Sequence, residues 1–362
     1  MKLFACQNCG QLVHFENVSC MNCGMPLGYL PGAQTLNALN LESDGSRTPV
    51  KGDGSHWRPC ANESALGCNW MVPAESDAAY CEACALNDTV PDLSVPGNLE
   101  HWQAIEFAKR RVIYTLDRLR LPLVSPVGAH TPLRFKFLAD VEGQDPVLTG
   151  HDDGLIVLNI AEADSAERER RRAELGEPYR TLLGHFRHEV GHYYWDMLVR
   201  DSGREEACRA LFGDERADYG AALQEHYNNG TPAGWEYNYV SAYATMHPWE
   251  DFAETWTHYL HMIDTLDTAA NFGVVVNPVV SDAPEVNTEV EFDPYNARSI
   301  DQLIDAWVPL TVALNSLNRS MGQPDLYPFS LSPAVVEKLR FIHMLVQEGP
   351  LGAGTGASDA AA

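Results

Sequence analysis

Five residues, His188-Glu189-Val190-Gly191-His192, form an H-E-x-x-H pattern on a helical background running from Leu182 to Trp195. On a helix, positions four apart share a face, so the two imidazoles project together, one turn apart. That is the separation two ring nitrogens need to hold one zinc ion. Glu189 is offset by one residue, which sets its carboxylate beside a water activated by the metal rather than on the metal itself.

A catalytic zinc needs a third protein ligand and an open fourth position. The best source is the stretch from Tyr243 to Leu260, where Pro248 suits the first position of a helix. Glu250 then falls in the first turn and Glu254 one turn later on the same face. Glu250 as ligand, with Glu254 holding the free nitrogen of a ligand His, satisfies the usual carboxylate–imidazole–metal arrangement. Asp251 is a rival ligand, but only Glu250 pairs with Glu254 at i+4. Acidic residues in a first turn are also favoured by the helix dipole alone. A deformylase-like site is disfavoured, because no Cys near the motif offers a third ligand.

Eight of the nine cysteines precede residue 85. Cys6-x-x-Cys9-Gly10 and Cys20-x-x-Cys23-Gly24 are two knuckles of a zinc ribbon. Each wraps two thiolates onto one side of a tetrahedral metal, with Gly permitting the tight turn. A redox dithiol would need a βαβ context that is absent. Cys60, Cys68, Cys81 and Cys84 form a second candidate four-cysteine site. Its spacing is less regular, and His56 is a substitute ligand. Four thiolates close a zinc site, so both are structural or recognition elements. The lone Cys208 reads as a small buried residue rather than a reactive thiol.

These residues resemble a known family. The runs His188 to Trp195, Ser241 to Ala244 and His247 to Trp256 look like the zinc-binding metallopeptidase family of bacteria, in which a zinc ribbon precedes a zincin-like peptidase domain. Cys68-Asn69-Trp70 and Pro91-Asp92-Leu93 look like that family's ribbon region. The resemblance covers nearly the whole chain up to about residue 346. It supports the second four-cysteine site and implies a gluzincin ligand set of His188, His192 and Glu250. The expected mechanism has Glu189 taking a proton from the attacking water and delivering it to the leaving amine. The oxyanion needs a further donor. Tyr243 resembles the tyrosine that related gluzincins use; Tyr239 and His247 are alternatives, and His185 is a candidate cleft residue. The implied cofactors are one catalytic and two structural zinc ions, and the implied partner is a peptide or protein substrate. The ribbons offer a surface for a protein partner. A catalytically inactive scaffold carrying the same residues is the competing reading.

The elements that must position these groups follow from periodicity. Asn98 to Leu121 is an amphipathic helix stopped by Pro122, its basic residues Lys109, Arg110, Arg111, Arg118 and Arg120 read as a solvated face. Leu133–Phe137 and Gly154–Ile160 read as strands, an edge strand of which lies along the cleft and receives an extended substrate. Glu167 to Arg172 reads as a solvated helix or loop. Arg204 to Tyr227 is helical by pattern, 228–232 is a turn, and 273–299 a long loop. Ile300–Leu317 and Pro333–Val346 are amphipathic helices.

The expected fold class is α+β: a zincin-like domain, mostly helical with a small mixed sheet, after one or two zinc ribbons. The expected divisions are a ribbon at 1–30, a linker at 31–55, a second four-cysteine segment at 56–95, the peptidase domain at 96–346 and a disordered tail at 347–362. The 362 residues carry a formal net charge of −25, which disfavours nucleic acid and anionic membranes as partners. The absence of a signal-like N-terminus or of an apolar run long enough to span a bilayer points to the cytoplasm.

Overall fold

Short strands and paired cysteines dominate the first ninety residues. The computed structural model describes residues 3–124, 132–141, 143, 145, 147–175, 177–281 and 283–350. Strands β1 (Phe4–Ala5) and β2 (Leu12–Val13) pair around the first knuckle. A five-stranded antiparallel sheet follows in simple order: β3 (Leu27–Leu30), β4 (Thr35–Leu41), β5 (Arg47–Pro49), β6 (Trp57–Pro59) and β7 (Met71–Pro73). A short helix, α1 (Glu63–Leu66), lies between β6 and β7.

This corrects the reading of 31–55 as a linker. That stretch carries β4 and β5, which pair with strands on either side of it. The Asn69 side chain donates to the carbonyls of Phe15 (2.6 Å) and Asn17 (3.1 Å), tying the second cysteine segment to the first. Phe15, Tyr29 and Trp70 form one aromatic cluster, with Tyr29 and Trp70 ring centroids 4.6 Å apart. Tyr114 joins the cluster from helix α2 (Asn98–Arg118) and docks the unit on the rest of the chain.

Helix α2 departs from a simple solvated basic face. Lys109 and Arg110 are buried. Lys109 is hydrogen-bonded to Asn87 and pairs with the equally buried Glu106 at 2.8 Å, and Arg110 stacks on Phe107. Beside α2 lies a four-stranded mixed sheet in the order β10 (Gly150–Asp152), β11 (Leu155–Asn159), β9 (Arg134–Leu138), β8 (Asn87–Thr89). The β9–β11 and β8–β9 pairs are parallel and β10–β11 is antiparallel, so β10 is an edge. The two strands expected at 133–137 and 154–160 are β9 and β11.

The remaining helices are α3 (Ser165–Leu175), α4 (Leu182–Trp195), α5 (Glu205–Phe212), α6 (Tyr219–Asn229), α7 (Pro248–Phe272), α8 (Ile300–Ser320) and α9 (Pro333–Glu348). The single helix expected over 204–227 is two. Gly213, at φ 100°, ends α5, and Asp218 caps α6 by accepting from the Ala221 amide at 2.8 Å. The loop at 273–299 includes a two-stranded pair, β12 (Val275–Val276) with β13 (Thr288–Glu289). Of the tail expected at 347–362, α9 claims Gln347 and Glu348, and 351–362 lie outside the described residues. The fold is α+β, helix-rich, with the five-stranded sheet and its flanking cysteine turns at the N-terminal end. Among the described residues no helix is long and apolar enough to cross a membrane.

Helices α4 and α7 are the frame of the site. They approach closely because position 191 has no side chain: a Cβ there would lie 3.1 Å from Ala253 Cα and 3.1 Å from Trp256 Cδ1. Tyr194 and Trp256 stack across the contact with centroids 5.0 Å apart. One turn away, the buried Arg187 is hydrogen-bonded to both His261 and Asp264, and Asp264 also accepts from Thr115 of α2 at 2.9 Å and from Tyr295 at 2.7 Å. A buried charge pair met by this many hydrogen bonds is compensated for its desolvation and fixes how the helices sit.

Candidate metal centre

Helix α4 begins at a Thr181 cap, whose side chain accepts from the Gly184 amide at 3.0 Å. Its motif face meets the first two turns of α7, where Pro248 takes the first position and His247 caps the end. This brings His188, His192 and Glu250 together, one donor atom from each lying within 4.8 Å of the others. The buried Glu250 carboxylate straddles the two imidazoles, with Oε2 2.9 Å from His188 Nε2 and Oε1 3.5 Å from His192 Nε2. These spans bracket the edge, about 3.3 Å, of a tetrahedron with metal bonds of about 2.0 Å. Two imidazole nitrogens and a carboxylate oxygen are a fitting donor set for zinc.

Glu254 takes the expected place. Its Oε1 lies 2.7 Å from His188 Nδ1 and its Oε2 accepts from the Ser241 hydroxyl at 2.5 Å. His188 Nε2 is thereby turned toward Glu250. Burial alone would lower the His188 pKa, but the bonds to Glu250 and Glu254 outweigh it and hold the ring well above its ordinary value. Burial would raise Glu250, yet His192 and His188 pull it well below the usual carboxylate range. Glu189 is buried, and no described residue hydrogen-bonds its carboxylate; burial pushes its pKa upward.

The other candidates separate. Tyr243 lies against His188 with ring centroids 5.9 Å apart. Tyr239 instead lies against Lys338, whose Nζ is 4.4 Å from its ring centre. His247 has both nitrogens engaged: Nδ1 accepts from the Trp249 amide and Nε2 donates to the Ala217 carbonyl, each at 3.1 Å. It is a helix cap with no nitrogen left for an oxyanion. His185 faces Glu162, 3.4 Å away. Asp251, the rival ligand, is in a buried pair with Lys338 Nζ at 2.6 Å.

Two neighbours were not legible beforehand. The Tyr219 hydroxyl donates to Glu250 Oε1 at 3.0 Å. His151, on the edge strand β10, lies parallel to His192 with centroids 6.2 Å apart, while Trp249 covers His192 at 3.9 Å. A cavity of about 400 Å³ lies elsewhere, among Leu183, Ala269, Trp307, Leu310 and Phe329, and no residue of the metal cluster lines it.

The cysteines form two further clusters. A tetrahedron with metal–sulfur bonds of about 2.3 Å has edges of about 3.8 Å. Cys6–Cys23 and Cys9–Cys20 are 3.7 and 3.6 Å apart, and Cys68–Cys81 and Cys68–Cys84 are 3.7 and 3.8 Å apart. The sulfurs are thus spaced as metal thiolates and far outside disulfide length. Cys60 belongs to the second cluster, its sulfur accepting from the Cys81 amide at 3.3 Å, whereas His56 bonds Ser46. Cys208 is buried apart from both, its thiol pushed up to about 12 chiefly by burial, as an inert side chain should be.

A helix-rich domain whose paired helices present two His and a Glu, behind a segment with two four-cysteine clusters, defines a class of zinc-binding protein. The family described as "Putative zinc-binding metallo-peptidase" matches residues 98–345, and a zinc-ribbon domain matches residues 3–95; the chain belongs to that metallopeptidase family. It is also similar to proteins of Mycobacterium bovis and of two Mycobacterium tuberculosis strains, CDC 1551 and H37Rv. Each is 42% identical over 350 residues, covering 96% of both chains, and each bears the name "uncharacterized protein". No solved structure matches the chain.

Proposed function

We propose that the chain is a zinc-dependent peptidase of gluzincin type, with one catalytic and two structural zinc ions. The observation that carries this is the convergence of His188, His192 and Glu250 donor atoms within 4.8 Å beside the buried Glu189, whose carboxylate no described residue hydrogen-bonds. Zinc held there supplies a Lewis acid that brings the pKa of water to roughly 7 and polarises a carbonyl. Glu189 takes the proton from the attacking water and passes it to the amine as the C–N bond breaks. Glu254 and Ser241 hold the His188 ring in place during this transfer. Tyr243, beside His188, is the candidate donor to the oxyanion. Both four-cysteine sites, with all positions filled by thiolates, support the fold or a partner surface, and the acidic chain belongs in the cytoplasm.

The test is exposure of a peptide library to the zinc-loaded chain, read by mass spectrometry. Glu189→Gln should keep its zinc and lose cleavage. Equal cleavage by both proteins would refute the assignment of Glu189. A wild-type chain that holds all its zinc and cleaves nothing would favour the scaffold reading. The burial of Glu250 and the hydroxyl of Tyr219 upon it are the features that favour that reading.

A further inference from the structure

Among the described residues, Glu250 is the member of the His188, His192 and Glu250 set that receives a hydrogen bond from a segment outside the α4–α7 frame. Its Oε2 faces His188 Nε2, and its Oε1 receives the Tyr219 hydroxyl at 3.0 Å. Tyr219 opens α6, and no side chain of that helix is buried. The segment meets the site at three places. The Ala217 carbonyl accepts from His247 Nε2 at 3.1 Å, Tyr219 bonds Glu250, and the His226 ring stands edge-on to Tyr243 with centroids 6.1 Å apart. The Tyr219 ring packs edge-on to His247, with centroids 5.3 Å apart, so a second contact steadies the residue whose hydroxyl meets the carboxylate. Tyr243 is also close enough to interact with that hydroxyl.

We propose that Tyr219 is a positioning residue for the metal ligand Glu250, and that through it the α6 segment is tethered to the metal centre. This role rests on the reading of His188, His192 and Glu250 as one zinc site. A carboxylate on a two-torsion stem is free to rotate about its last bond. A donor on Oε1 fixes its plane and leaves Oε2 for the metal. Tyr219 thus does for Glu250 what Glu254 does for His188. Partners of this kind are worth about 10–100-fold in metal affinity. Binding linkage is reciprocal, so whatever loosens α6 weakens metal binding, and metal removal loosens α6.

The test uses the full chain with both four-cysteine sites loaded and the third metal removed by a mild chelator. Zinc is titrated back, and cobalt(II) is placed in the third site for its visible spectrum. Tyr219→Phe keeps the ring and its packing and removes only the hydroxyl. It should lower third-site zinc affinity by about 10-fold or more and alter the cobalt bands. His226→Ala, which touches no ligand, should weaken zinc in the same direction by a smaller factor. Unchanged affinity and an unchanged cobalt spectrum in Tyr219→Phe would overturn the proposal while leaving the metal site standing. A wild-type chain that takes up no third metal would overturn the site reading, and the proposal with it.

Discussion

Gly191→Ala sets two opposing effects against each other at the contact that builds the site. Alanine in place of glycine inside a helix is worth about 0.8–1.0 kcal/mol in propensity. Against this, the new Cβ would stand 3.1 Å from Ala253 Cα, 3.1 Å from Trp256 Cδ1 and 3.3 Å from Trp256 Cβ, where 3.4–4 Å is ordinary contact. One obstacle is backbone and the other a fully buried indole stacked on Tyr194, so neither gives way cheaply. Overpacking of this kind costs about 1–3 kcal/mol. The net expectation is a loss of about 0–2 kcal/mol, with α4 and α7 pushed apart by a few tenths of an ångström. That shift acts directly on the ligand set, since His188 and His192 ride on one helix and Glu250 on the other. Urea denaturation of the zinc-loaded chain, paired with zinc titration of the third site, reads both effects. A variant about 1 kcal/mol more stable with unchanged zinc affinity would show that helix propensity wins and that the close approach does not matter.

Other perturbations separate the site from its supports. Glu254→Gln should weaken the third zinc by about 10–100-fold, measured by chelator competition, because His188 loses its charged partner. Lys338→Met should cost about 3–5 kcal/mol in chemical denaturation by leaving Asp251 buried and unpaired; a cost below about 1 kcal/mol would contradict the importance of the pair. Glu162 has its pKa held below the ordinary 4.5, since His185, Arg180 and Arg171 outweigh the upward push of burial. Its contribution to stability is therefore full above about pH 4.5 and lost as pH falls through the lower, folded-state value. Glu162→Gln should be less stable than wild type at about pH 7, and the two stability curves should converge below about pH 4.5; parallel curves would refute this.

Much of the candidate site's composition was legible because it depends on local spacing. His188 and His192 at i+4, and Glu250 and Glu254 at i+4 after a proline, need only helical geometry to point the right way. The Cys-x-x-Cys knuckles are local in the same sense. What the sequence concealed was tertiary. Tyr219 is a part-exposed aromatic at a helix start, and only the tertiary placement of that start beside α7 sets its hydroxyl on Glu250. His151 belongs to a three-residue edge strand too short to show alternation. Lys109 and Arg110 read as solvated because charge is usually exposed, yet both are buried: Lys109 pairs with the buried Glu106 and bonds Asn87, and Arg110 lies against the more exposed Phe107 ring. Residues 31–55 read as a linker because turn formers dominate their composition, although Leu36, Ala38 and Leu39 are fully buried in the sheet. The break at Gly213–Asp218 was signalled by a C-terminal glycine and an N-capping aspartate, and was masked by the apolar run on either side.

The central question is whether the α4–α7 contact holds a metal of its own beside the two cysteine sites. The direct measurement is zinc per chain by elemental analysis, in wild type and in His188→Ala. The expected result is about three zinc ions in wild type and one fewer in the variant, with both four-cysteine sites still filled. Equal zinc content in the two proteins would contradict it.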